Sequence, residues 1–245
     1  MSRNIEEYTK TYNNHCFEDI QVQYRHKKIL EILQKYKPKN ILEIGCGNDS
    51  IFNYYKEFDS AAIIEPSDVF FHKTKDAFSG SLNVTIHNGF LEEISNKVKP
   101  DFDFIILSGL LHEVENPKAL LESMRKLCLD NTIAHINVPN NKSLHLLWAY
   151  SAGLISSIGN LTPTALDLQQ NSTFDMNSLK KMCEESRFKV IEKGSYFLKP
   201  FNHTKMQQCI DSKIIDDALL NGLYNIIEHI PELGSEIFVN VVRNS

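Results

Sequence analysis

Five short apolar runs, residues 40–44, 61–65, 82–86, 102–108 and 133–138, are separated by stretches whose apolar residues fall at helical spacing. A run apolar on both faces has no side for water, so each strand belongs inside a sheet covered on both sides, and strands spaced by helices pair in parallel. The helices expected between them are 25–36, ended by Pro38, then 50–57, a segment after Pro66, and 117–128. At the last of these, Asn116 and Pro117 supply an N-cap and a first-turn proline. After Val138 the rhythm breaks. Residues 139–174 carry Pro139, Gly153, Gly159 and Pro163 and read as an insertion with one apolar helix over 144–158. A helix at 177–186 and a strand at 188–197 resume the pattern. A second, mostly helical insertion covers 198–234, and the last strand is 235–243.

Length and charge exclude other classes. A chain of 245 residues suits one α/β domain with insertions. The apolar runs, such as 104–107, fall far short of the roughly 20 residues a membrane helix needs, and residues 1–7 hold no apolar signal segment. Net charge is −5, with lysine and arginine scattered beyond the cluster 25–28, which argues against nucleic acid as a partner. Five cysteines without C-x-x-C spacing read as reduced thiols in the cytoplasm and give no sign of a zinc site.

The strongest local signal is Ile44-Gly45-Cys46-Gly47-Asn48-Asp49-Ser50, between the first strand and the next helix. Two glycines let the backbone turn sharply and approach a ligand closely. Alone this is also an ordinary strand-to-helix turn. Glu65 ends the second strand 18 residues after Gly47, where a carboxylate usually takes ribose hydroxyls. Glu43 discriminates between ligands: it would repel a pyrophosphate and attract a cationic amino group. The third glycine of the dinucleotide fingerprint is replaced by Ser50, which disfavours a nicotinamide-dependent oxidoreductase.

Over residues 40–138 the chain resembles the class I S-adenosylmethionine (SAM)-dependent methyltransferases. Glu43, Gly45 and Gly47 match the family's first motif, E-x-G-x-G, with Cys46 lending backbone and Asp49 standing where a third glycine is common. Glu65, followed by Pro66, matches the acidic ribose ligand. Asn88, Gly89 and Phe90 match the loop that meets adenine. Ser108 and Gly109, followed by Leu110-Leu111-His112-Glu113, resemble the fourth motif. The resemblance implies a Rossmann-like α/β fold with a seven-stranded, mostly parallel sheet of order 3-2-1-4-5-7-6, strand seven antiparallel. It also implies SAM as cofactor and S-adenosylhomocysteine (SAH) as product. The segment 138–145, Val-Pro-Asn-Asn-Lys-Ser-Leu-His, is similar to a bacterial subgroup associated with surface-polysaccharide or secondary-metabolite genes.

The expected organisation is a single domain over 1–245: an N-terminal helical lid (1–38, with Tyr12, Tyr24 and Arg25), a SAM-binding core (39–138), and acceptor-site insertions at 139–174 and 198–234. Methyl transfer to a hydroxyl needs a base. His112, just past the fourth strand, is the first candidate, His145 the second and His203 the third, while His135 alternates within the fifth strand and reads as a core residue. Leu144, Leu147, Trp148, Leu154 and Ile155 would give the acceptor pocket an apolar underside. No Asp/Asn cluster of the metal-dependent O-methyltransferases is present, so no metal is expected. The expected reaction is methylation of a small polar acceptor, at a hydroxyl of a sugar, nucleotide sugar or related metabolite, with a homodimer compatible. An N-methyltransferase of a small amine and a non-catalytic SAM-fold partner protein are the alternatives.

Overall fold

A computed structural model describes residues 5, 16–161, 165–166 and 169–244. Tyr8, Tyr12, His15 and Pro163 lie outside the described residues. The chain forms helix α1 (Glu18–Tyr36), strand β1 (Asn40–Ile44), β2 (Ser60–Glu65), α2 (Asp68–Ala77), β3 (Val84–Asn88), a one-turn α3 (Leu91–Ile94) and β4 (Phe102–Ser108). Then follow α4 (Pro117–Leu127), β5 (Cys128–Pro139), α5 (Leu144–Ser151), α6 (Met176–Glu185), β6 (Phe188–Tyr196), α7 (His203–Asp211), α8 (Asp217–Asn225) and β7 (Glu236–Arg243). The seven strands form one sheet of order β3-β2-β1-β4-β5-β7-β6. Strands β1 to β5 pair in parallel, and β7 runs antiparallel to both β5 and β6. The expected order and the antiparallel strand are both present.

The period-two alternation of the strands splits the core in two. Leu42, Ile44, Ile105, Leu107 and Ile136 face α4 and α6 on one side. Ile41, Ile63, Phe104 and Ile106 face α1, with Met206 of α7 and Tyr224 of α8 on the same side. Burying each such large apolar side chain contributes about 1.5–3 kcal/mol. At α4, the Asn116 side chain accepts from the Ala119 N–H at 3.0 Å, with Pro117 in the first turn, as expected.

Several elements differ from the sequence reading. Helix α1 begins at Glu18, not at 25. No α-helix forms over 50–57; a three-residue 3-10 turn, Ile51–Asn53, follows the glycine loop instead. The Glu43 carboxylate accepts from both Ser50 Oγ and the Ile51 N–H, and those bonds fix the first turn in the tighter form. Strand β3 is Val84–Asn88, with Leu82 fully exposed before it. Helix α5 stops at Ser151 and does not reach 158; Gly153 and the Ser156–Ser157 pair after it are weak helix formers. Among the described residues, no helix is long and apolar enough to cross a membrane.

The strand order reverses between β1 and β4, where β1 pairs β2 on one side and β4 on the other. In an open parallel sheet, a crevice for ligands lies at the carboxyl ends of the strands flanking such a switch.

Candidate active site

At the end of β1, Gly45 (φ 76°) and Gly47 (φ 57°) take left-handed conformations that a side chain would strain. A Cβ on Gly45 would stand 3.1 Å from Leu110, so the segment after β4 packs directly on the glycine loop. Glu65, 3% exposed at the end of β2, joins this loop to the start of α2. Its carboxylate accepts from the Gly47 N–H at 3.0 Å and from the Ser67 N–H at 2.8 Å. Cys46 Sγ also donates to it at 3.6 Å, and the carboxylate lines the cavity.

Glu43 is 5% exposed and accepts from Ser50 Oγ at 2.5 Å and from the Ile51 N–H at 3.1 Å. Burial, with smaller contributions from Glu65 and Asp49, pushes its carboxyl up to about 7. Glu43 thus anchors the loop as well as lining the cavity. Cys46 is buried, and burial together with Glu43 and Glu65 holds its thiol far above the ordinary range, so it is no nucleophile. Asp49 accepts from Asn53 at 2.6 Å and from the Tyr54 hydroxyl at 2.5 Å, closing the loop on the solvent side.

A continuous cavity of about 1750 Å³ runs over the carboxyl ends of the strands. That exceeds the roughly 300–1,000 Å³ typical of a single ligand pocket, leaving room for a cofactor and an acceptor together. Glu43, Gly45, Cys46, Gly47, Glu65, Pro66, Ser108 and Gly109 all line it. Ser67 and Phe70 of α2 join them. Asn88, Gly89 and Phe90 do not line this cavity: Asn88 donates to Asp68 at 3.0 Å, and the Phe90 ring is 41% exposed.

The three candidate bases line the same cavity. His112 is 5% exposed, with Nε2 4.0 Å from Glu113. Its carbonyl accepts from the Asn171 and Ser172 N–H groups at 2.9 and 3.0 Å, which pins the first insertion to the segment after β4. His145 Nδ1 meets Ser143 Oγ at 3.0 Å. Burial, then the nearby Lys199 and His203, keep His145 neutral well below its ordinary range. His203 opens α7, its ring 5.7 Å from Phe17. His135 stands apart inside the sheet, fully buried, with Nδ1 2.8 Å from Asn240 Oδ1 and no partner on Nε2. Of the expected apolar underside, Trp148, Leu154 and Ile155 line the cavity, and Leu144 and Leu147 do not.

A polar cluster centred on Glu236, which the sequence reading did not single out, reaches the cavity through Gln21, Arg25 and Glu236. Glu236, the first residue of β7, is 2% exposed. It accepts from Arg25 at 2.7 and 3.1 Å, from Gln21 at 3.0 Å, from Asn137 at 2.7 Å and from the Tyr196 hydroxyl. Burial works against its charge, but Arg25 and these hydrogen bonds hold its carboxyl down at about 2. Arg25 also lies 3.6 Å from Glu18, and a Cβ on Gly109 would stand 3.5 Å from the guanidinium carbon. Helix α1 is therefore clamped across the end of β4 by one arginine. The available signal was a glutamate opening a mostly apolar last strand, a residue that cannot be buried without partners.

Among the described residues, no group of three His, Cys, Asp or Glu side chains is placed to hold a metal ion. The family described as methyltransferase domain matches residues 16–193. No curated protein sequence matches the chain. Among solved structures, the plantazolicin methyltransferase BamL, in complex with a triazolic desmethylPZN analog and SAH, superposes with a TM-score of 0.61 at 18% identity, covering 94% of this chain and 88% of that one. The N-methyltransferase NodS from Bradyrhizobium japonicum gives 0.58 at 10% identity, covering 94% and 99%. The [4+2]-cyclase SpnF gives 0.57 at 12% identity, covering 84% and 74%. At these identities the likeness is one of fold, and it spans different reactions.

Proposed function

The chain belongs to the methyltransferase-domain family and takes its methyl group from SAM; on that premise we propose that it methylates a hydroxyl of a small polar acceptor, a sugar, nucleotide sugar or related metabolite. The donor set fits the cofactor. Two buried carboxylates, Glu43 and Glu65, line the cavity beside a glycine loop whose φ values favour glycine. Carboxylates suit a ribose diol and an ammonium group, and they oppose a pyrophosphate. A dinucleotide would also want a helix N-terminus behind the loop, where this chain has only a three-residue 3-10 turn.

When bound, SAM supplies a methyl already activated on a sulfonium, so that the O–C bond forms as the S–C bond breaks and sulfur keeps the electron pair. The chain's own part is to hold the hydroxyl in line and accept its proton. We assign the proton to His112. One observation carries this choice: the segment bearing His112 packs on Gly45 through Leu110, so His112 shares the cavity wall with the glycine loop. His145 and His203 sit on the insertions and are the rival bases. Asn88, Gly89 and Phe90 remain the proposed adenine side of the site, and α1 with the two insertions its cover. Five free thiols support a cytoplasmic location, and the acidic net charge of −5 supports a small molecule over nucleic acid.

The test is a screen of the purified protein with methyl-labelled SAM against nucleotide sugars, sugar phosphates and hydroxylated metabolites. Label should appear on an acceptor oxygen, with stoichiometric SAH. Label appearing only on amines would replace this reading with N-methylation.

A further inference from the structure

We infer that the acceptor carries a small oxyanion, a carboxylate or a phosphate, and that this group docks on Lys199, in the cavity that His145 and His203 also line. The inference rests on the methyltransferase reading and names the class of its substrate. Lys199 follows β6, is 6% exposed and lines the cavity. Among the described residues its ammonium makes no hydrogen bond and no ion pair, so its donors meet the cavity without a protein acceptor. Buried charge without close partners is costly, and a wall built this way favours a ligand that brings the acceptors.

The neighbouring carboxylates do not fill that role. Glu236 is already taken by Arg25, Gln21, Asn137 and Tyr196, and Glu18 lies against Arg25 at 3.6 Å. Both steady the lysine charge from a distance, while burial, the larger effect, pushes Lys199 down to about 8 and Arg25 pushes the same way. At neutral pH the group is therefore still mainly protonated. His145 of α5 and His203 of α7 line the same cavity, and burial, then Lys199 and His203, disfavour a proton on His145. A neutral His145 adds a polar ring nitrogen without adding repulsion for the lysine. Hydrogen bonds from an ammonium are strongest to ionised oxygens, so an anionic group fits this wall better than a plain hydroxyl. Trp148 and Phe201, with ring centroids 5.4 Å apart, give it an apolar border.

The experiment uses full-length protein saturated with SAH, with inorganic phosphate and acetate as probes. The lysine Cε resonances are followed by NMR against pH, and Lys199→Met identifies the Lys199 signal. The Lys199 titration should move up by about one unit or more with a bound oxyanion, as an opposite charge in contact requires. Calorimetry should show at least tenfold weaker probe binding to Lys199→Met, with SAH binding unchanged. A response to phosphate alone points to a phosphate ester, and a response to acetate alone to a carboxylic acid. If neither probe moves the wild-type titration, or if Lys199→Met binds them as well as wild type, the inference is overturned. Should Lys199→Met fail to fold, Lys199→Arg, which removes the lysine resonance and keeps the charge, identifies the signal, and the wild-type titration decides. If SAH itself does not bind, the methyltransferase reading falls, and the same titration without SAH still judges the oxyanion site.

Discussion

Single residues in this site carry more than one task, and substitutions separate the tasks. His112 is buried in the cavity wall, and its backbone carbonyl holds the first insertion. His112→Ala should therefore keep that attachment and leave SAH affinity nearly unchanged, since Glu43, Gly47 and Glu65 stand on other strands. Turnover should fall by about 10²–10⁴, the usual scale for a positioned acid-base group. Single-turnover kinetics with labelled SAM measure this. Near-normal turnover in His112→Ala, with loss in His145→Ala or His203→Ala, moves the base to an insertion. Glu43 illustrates a double role of another kind. Its place beside the glycine loop was legible in the sequence, but its grip on Ser50 and Ile51 was not, because a loop's internal hydrogen bonds follow from its exact turn and not from spacing.

At the scale of elements, the proposed cover over the site depends on α1. Arg25 bridges it to β7 through Glu236 and lies over Gly109, at the end of β4. Filling the cavity with SAH should slow amide exchange over 18–25, read by hydrogen-exchange mass spectrometry. Unchanged exchange there removes the lid from the account. The central strands were legible because each is apolar on both faces, and β4 was placed to the residue, with one polar residue, Asp103, before its final serine. Strand β3 was misplaced by two residues because it lies at the sheet edge, half-covered, where Thr85, His87 and Asn88 weaken the apolar signal. The start of α1 was missed because Glu18 and Gln21 are buried polar residues and look like a solvated segment in sequence. Glu236 was missed as a site residue for a related reason: it meets Arg25 and Gln21 only through contacts that span most of the chain, and no local pattern encodes such pairing.

For the whole molecule, buried titratable groups set a pH window. Burial lowers His135 to about 4 from an ordinary 6.5 and also keeps His145 well below it. Between roughly 6.5 and 4 the unfolded chain binds these protons and the folded one does not, so stability falls as pH falls through that range. Glu43, raised to about 7 from 4.5, acts in the opposite sense, since the folded chain holds the extra proton between those values. The histidines outnumber it, so the thermal midpoint should drop from pH 7 to pH 4.5, and a midpoint flat across that range would contradict the burial described. The central claim is that the β1–β2 end of the cavity binds SAM, and calorimetric titration of the protein with SAH and with NAD tests it most directly. SAH should bind in the micromolar range with no comparable NAD binding. Glu65→Ala should weaken SAH by about 1.5–3 kcal/mol through loss of a charged acceptor. Binding of NAD without binding of SAH, or SAH affinity indifferent to Glu65, would contradict the account.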